Sequence, residues 1–252
     1  MIKRAELSSY LNEYLNCDSF KDYAPNGLQV EGKDDIKVIC SAVTASEEVI
    51  AIAAEKKADA LLVHHGFFWR GEAPQLVGMK KRRVAKLLSS DMNLFGYHLP
   101  LDCHPKLGNN ACIAKLLGMQ SVKSHKAGNT TDLLWSGKLK KAMTVEDFAA
   151  LVAKNLHREP LVVSGSKDNI QNIAWCTGGA QDFIIEANDL NVDAYLSGEI
   201  SERTYYQAKE LGLHYFSCGH HATERYGIQA LGEHLSKRFK LDHSFIDVDN
   251  PV

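Results

Sequence analysis

The sequence predicts an α/β fold made of two similar βαβαβα lobes with mostly parallel sheets, and three observations lead there. Short apolar runs of strand length alternate with stretches of helical spacing. The same order of elements occurs twice along the chain. Residues with metal-binding chemistry gather where predicted strands end, and ligands collect at the carboxyl ends of strands in such folds.

Residues 38–44 read as a buried strand, 47–57 as a helix that a Thr/Ser start can cap, and 58–63 as a second strand. A helix over 79–90, a strand over 93–98 and a helix over 109–117 follow. The series then repeats with a strand at 173–179, a helix at 181–191, a strand at 192–197, a helix at 201–211, a strand at 213–218 and a helix at 223–239. Cys40 aligns with Cys176 at an offset of 136, and Asp59-Ala60 with Asp193-Ala194 at an offset of 134. A two-residue loop gap reconciles the two offsets. The expected organisation is an N-terminal lobe over 1–120, a short connecting insertion over 121–167, and a C-terminal lobe over 168–252 that repeats the first. Within the insertion, 133–139 and 161–165 have strand character and 145–156 has helical spacing. Its role is open.

Composition narrows the function classes. At 252 residues, 45% hydrophobic and 24% charged, the chain has the make-up of a globular protein and not of a disordered one. A formal net charge of -2 gives no electrostatic reason to expect nucleic acid or a membrane surface as partner. The one dense basic run, Lys80-Lys81-Arg82-Arg83, reads as the solvated side of a helix, since Val84, Leu87 and Leu88 follow at helical spacing. The first residues are charged, unlike a signal peptide, and no run approaches ~18 apolar residues, so a cytoplasmic location is expected. Six scattered cysteines without a CxxC pair suggest neither a disulfide framework nor a zinc ribbon.

Three segments carry the chemistry. His64 and His65 close the strand at 58–63, with Gly66 free to turn the backbone. Adjacent side chains on an extended strand point to opposite sides, so two neighbouring ions could take one imidazole each. His98 and Asp102 place an imidazole and a carboxylate at the next strand end, which suits a borderline or hard divalent ion. His220 and Glu224 follow the strand ending at Cys218, with Glu224 expected in the first turn of a helix starting near His221, where the positive helix end favours a carboxylate. His104 reads as a loop residue, and His221 stays outside the ligand set. Gly178-Gly179 reads as a tight turn. All three strand ends belong on the same rim, and histidines with two carboxylates fit two ions ~3.5–4 Å apart, the arrangement of hydrolytic two-metal sites. Iron, manganese and zinc all suit these ligands.

With the stretch Asp22-Tyr23-Ala24-Pro25-Asn26-Gly27-Leu28-Gln29-Val30, these motifs resemble the dimetal family of GTP cyclohydrolase 1 type 2 homologues, over essentially the whole chain. The resemblance implies two α/β lobes with a dinuclear metal site between them, in a toroidal homohexamer whose metals face an internal cavity. It implies His64, His65, Asp102, His220 and Glu224 as ligands, with His98 a sixth at or near the centre. Some relatives carry a long domain between the halves, where this chain has only 121–167.

The expected function is a metal-dependent hydrolase acting through metal-bound water on a small substrate, a nucleotide-like one being a candidate. No P-loop accompanies it. Glu199, at the position equivalent in the repeat to His65, is the candidate catalytic residue, as a substrate contact or proton shuttle. The alternative is a non-enzymatic, metal-stabilised ring that binds a protein partner.

Overall fold

The computed structural model describes all 252 residues, Met1–Val252. In chain order the elements are β1 (Ile2–Lys3), α1 (Arg4–Tyr14), β2 (Gly27–Val30), β3 (Asp35–Ile36), β4 (Val38–Thr44), α2 (Glu47–Glu55), β5 (Ala60–His65), α3 (Gly78–Ser89), β6 (Asn93–Gly96) and α4 (Leu99–Asp102). There follow α5 (Asn109–Leu116), β7 (Gln120–Ala127), β8 (Thr130–Met143), α6 (Val145–Leu156), β9 (Leu161–Val163), β10 (Ile170–Cys176), α7 (Ile184–Asp189), β11 (Ala194–Ser197), α8 (Glu202–Leu211), β12 (His214–Ser217), α9 (His220–Phe239) and β13 (Asp242–Phe245). The fold is mixed α/β, with helices and strands alternating as the spacing predicts.

The helix starts follow from local chemistry. Ser46 accepts the Val49 N–H at 3.1 Å and Thr144 that of Asp147 at 3.1 Å, satisfying donors that the first turns of α2 and α6 cannot use internally. Ser201 and Thr204 form a reciprocal capping box on α8, which stops at Gly212 in the left-handed region (φ 66).

The chain forms two compact units, Met1–Gly108 with Gly227–Asp249, and Asn109–Tyr226 with Asn250–Val252. In the first, a five-stranded sheet runs in the order β13-β4-β5-β6-β2, parallel except for β2. Apolar side chains cover it on both sides. One cluster joins Leu7 and Leu11 of α1 to Ile39, Leu62, Phe95, Ile228 and Leu231, and the other joins Val49 and Ile50 of α2 to Cys40, Leu61, Val63 and Leu94. Neighbouring residues of one strand, such as Leu61 and Leu62, thus pack into different clusters, as a doubly covered parallel strand requires. The second unit holds a six-stranded sheet, β7-β8-β10-β11-β12-β9, with β10, β11 and β12 parallel and the flanking strands antiparallel. Its core includes Trp135, Phe148, Trp175, Leu196 and Phe216.

The units divide elsewhere than at residues 120 and 168. Residues 121–167 supply β7, β8 and β9 to the second sheet, where β8 pairs with β10 and β9 with β12. Helix α5, assigned by sequence to the first lobe, packs Ala111 and Ile113 against Trp135 and Trp175. Beyond Gly227, Ile228, Leu231 and Leu235 of α9 enter the first core, and β13 extends the first sheet alongside β4. Sequence separation misleads here because strand pairing, a long-range choice, decides which unit a segment joins.

Each sheet is fastened at the foot of its central strand by an aspartate. Asp59 Oδ2 accepts the N–H groups of Lys37 and Val38 at 2.9 Å each, and its Oδ1 meets the Lys33 ammonium at 3.0 Å. Asp193 Oδ2 accepts those of Gln171 and Asn172 at 2.9 and 2.7 Å, while Lys167 bonds its Oδ1. Burial pushes the Asp193 carboxyl up, but Lys167 and the backbone donors outweigh it, so its pKa lies below the ordinary 3.8. A carboxyl with a depressed folded pKa stabilises the fold above its unfolded pKa and loses that contribution as pH falls through the folded value. Asp193→Ala strands two backbone donors and should cost about 2–3 kcal/mol at pH 7 by urea unfolding. The gap from wild type should narrow once the pH drops below 3.8.

Candidate metal centre

The first unit brings three imidazoles together. His64 and His65 end β5, and His98 stands between β6 and α4. Their candidate donor atoms lie within 4.8 Å of one another, and their ring centroids are 4.5 Å (His64 to His65), 5.1 Å (His64 to His98) and 6.0 Å (His65 to His98) apart. His64 is 1% exposed, and its Nε2 lies 3.4 Å from Oδ1 of Asp102, the last residue of α4. The strand rule placing His64 and His65 on opposite sides fails at this point. β5 ends at His65, its pairing with β6 stopping at Val63 while that with β4 runs to His65, and Gly66 follows; at this one-sided strand end the two rings converge.

Each imidazole is held by its other nitrogen. His64 Nδ1 lies 2.9 Å from the Tyr97 carbonyl oxygen, His65 Nδ1 3.1 Å from Thr44 Oγ1, and His98 Nδ1 3.0 Å from Asp22 Oδ1. The carbonyl at His64 and the carboxylate at His98 can only accept, which favours the tautomer that offers the Nε2 lone pair, while the Thr44 hydroxyl holds the His65 ring in either role; such support accompanies metal-binding histidines generally. Asp22 does more than orient one ring. Its carboxylate also accepts from the Ala24 N–H (3.1 Å), the Asn26 side chain (3.0 Å) and the Leu99 N–H (3.0 Å), while Asn26 Oδ1 accepts the His98 N–H at 2.8 Å. Burial would raise the Asp22 pKa, but His98 and these donors bring it down to about 2, so the carboxylate is charged at any physiological pH.

In the second unit His220 opens α9 and Glu224 lies one turn on, Nε2 to Oε2 3.1 Å. The helix starts one residue before His221 and three before the span 223–239 read from the sequence. Glu224 is 3% exposed, at the positive helix end. Here too the second ring nitrogen is tied, Nδ1 lying 2.7 Å from Glu199 Oε1. Burial alone would lower the His220 pKa, yet Glu224 and Glu199 together raise it to about 9. A metal taking His220 must displace a proton that the metal-free chain holds tightly. Gly178 (φ +70) lies against this pair, and a Cβ there would run into Glu224 Oε1. Its N–H donates to Thr223 Oγ1 at 3.1 Å, which locks the β10 turn to the start of α9.

His104 and His221, left outside the ligand set by the sequence, have contacts of their own. His104 accepts the Lys106 and Leu107 N–H groups at 3.3 and 3.2 Å and packs 4.9 Å from Tyr14, which makes it a turn residue. The His221 N–H donates to the Val252 carbonyl at 3.1 Å. Sequence reasoning assigned no role to Asp22 or Thr44 and read Gly178 as a plain turn. Spacing within Asp22 to Asn26 marks an aspartate-led turn, but nothing local in the sequence says that His98 is its partner.

A sequence model of the Duf34/NIF3 (NGG1p interacting factor 3) family matches residues 2–251. The chain belongs to this family. It is 50% identical over 98% of both chains to a Haemophilus influenzae protein, and 51% identical over 98% of both to one from Pasteurella multocida, each named GTP cyclohydrolase 1 type 2 homolog. Among solved structures it is similar to protein ybgI, described as of unknown function (46% identity, TM-score 0.95, all of both chains), and to a Thermus thermophilus protein, TTHA1606 (31% identity, TM-score 0.92, all of both chains). Family membership agrees with the resemblance that the histidine motifs carry. The His/Asp/Glu groups of this chain could hold a metal ion.

Two substitutions probe the scaffold around these groups. Asp22→Ala should weaken metal affinity about 10- to 100-fold, measured by chelator competition, with the circular dichroism spectrum retained. Gly178→Ala should displace Glu224 and lower metal retention in the same assay; unchanged affinity would mean that Glu224 is not a ligand.

Proposed function

We propose that this chain is a metal-dependent hydrolase whose two donor sets, His64, His65, His98 and Asp102 in one unit and His220 and Glu224 in the other, together hold two divalent ions in a dinuclear centre. The observation that supports the reading is that all four histidines have Nδ1 engaged by a carbonyl, a hydroxyl or a carboxylate, the kind of support that orients metal-binding imidazoles. Imidazole with carboxylate suits iron, manganese or zinc. Two such ions would supply Lewis acidity and a nucleophile from water near neutral pH.

This chain's own residues set the rest. Asp22, Thr44 and the Tyr97 carbonyl orient the rings of the first set, and Glu199 orients His220, so Glu199 acts in this reading as a positioning residue beside the reacting centre. The substrate is small, with nucleotide-like molecules as candidates. The curated relatives' name, GTP cyclohydrolase 1 type 2 homolog, points the same way.

The internal repeat is part of the proposal. It is supported by the equal offset of 134 between Asp59 and Asp193 and between their partners Lys33 and Lys167. So is assembly into a homohexamer, for which exposed Ile185, Tyr205 and Tyr206 on α7 and α8 are candidate contact residues. The rival reading, a metal-stabilised ring that binds a protein partner without catalysis, needs the same metals and differs in having a partner and no turnover.

Elemental analysis of tag-free protein should find about two ions per chain, the occupancy of a two-metal site. His64→Ala and Glu224→Ala should each lose most of the metal, and the loaded wild type should turn over a member of a hydrolase panel. Absence of metal after reconstitution would overturn the reading. Full metal without turnover across the panel would favour the structural ring.

A further inference from the structure

Two aromatic rings border the first histidine set without joining the core. Tyr23 is 53% exposed, and its ring lies 5.0 Å from His98 and 5.5 Å from Trp69. Trp69, partly exposed, lies 5.2 Å from His98 and 5.9 Å from His65. Both rings stand edge-on to His98, at 70° and 75°, and only 37° from one another.

The rings are held in place. The Trp69 indole N–H donates to the Gly66 carbonyl at 3.1 Å, and the Arg70 N–H donates to the Tyr23 carbonyl at 2.8 Å. Arg70 also reaches the Asp22 carbonyl at 3.1 Å, and Glu72 Oε2 accepts the N–H groups of Phe68 and Trp69 at 2.9 and 3.2 Å. The turn that presents Trp69 holds Phe68 at φ +64, a conformation disfavoured for a bulky residue and one that accumulates at functional sites. This backbone gives up local comfort to keep an indole partly exposed beside the His65 and His98 imidazoles. A ring needed only for stability would be buried, as Trp135 and Trp175 are at 6% and 0%.

We propose that Tyr23 and Trp69 form a stacking platform for the flat face of a heteroaromatic ring, and that the substrate of the metal centre carries such a ring. Centroids 5.5 Å apart leave no slot for a ring between them, so the ligand stacks on their exposed surfaces. Stacking selects planarity and π character over any particular pattern of ring substituents. The inference rests on the hydrolase reading for the identity of the reacting centre, while the platform belongs to the first unit alone and can be tested without metal.

The test is calorimetric titration of adenosine and of nicotinamide, with cyclohexanecarboxamide as a saturated control, into both metal-loaded and metal-free full-length protein. Acrylamide quenching reports location, because Trp69 is the most exposed of the three tryptophans. Saturable binding of the aromatic probes but not of the control, with Trp69 protected from quenching, is expected. Trp69→Ala and Tyr23→Ala should each weaken it about 5- to 100-fold, and Trp69→Phe should restore most of it, at unchanged metal content. The exposed Tyr23 variant keeps the test valid should Trp69→Ala fail to fold. Equal binding of the saturated control, no saturable binding in either metal state, or full affinity in the Tyr23 and Trp69 variants would each overturn the platform. Loss of the hydrolase reading would show separately, as protein that binds the probes but holds no metal.

Discussion

A parallel strand covered on both sides can keep an imidazole or a carboxylate only at its ends, and this constraint shapes the molecule. β5 carries Ala60, Leu61, Leu62 and Val63 into two apolar clusters, and its histidines come only as the strand ends. β12 is buried throughout with one imidazole, His214, at its start, and His220 and Glu224 come after it, on the first turn of α9. The chemistry is displaced to the strand ends because the sheets are dry, and it is concentrated there because adjacent strands end at similar heights.

Concentrating imidazoles creates a second requirement, since a ring whose two nitrogens can exchange roles is a poor ligand. The structure ties one nitrogen of each ring: a main-chain oxygen for His64, a threonine hydroxyl for His65, and carboxylates for His98 and His220. Asp22 carries the greatest share, because the carboxylate that fixes His98 also binds the first free N–H of α4, and its main-chain carbonyl secures the arm bearing Trp69. The loop at 22–26 therefore organises the His98 imidazole and its surroundings at once.

Much of this was legible in the sequence. Strand and helix periods predicted the alternation, and the residue types at three strand ends identified donors that the fold does hold in position within each unit. Two things were hidden. The allocation of α5, β7 to β9 and β13 to their units depends on which strands pair, and the pairs Met143 with Ile170 and Asp242 with Val38 have no local signature. The supporting residues were hidden for a similar reason: Asp22 is 76 positions from His98, and Thr44 is 21 from His65, distances that only the folded sheet closes. The adjacency of the His64 and His65 rings was misjudged because regular strand alternation was extended to a strand that was already ending.

Strand β7 forms one border of the second sheet, eight residues long and paired on one side, to β8. Such a border is a template for unwanted association between chains, and here it carries exposed Lys123 and Lys126 with a single exposed valine, Val122. Charge repulsion along that border keeps two copies from zipping together through their backbones. The association behaviour of this border is consequently set by the lysines that flank His125, and chemistry that neutralises those amines would provoke aggregation while leaving the fold intact.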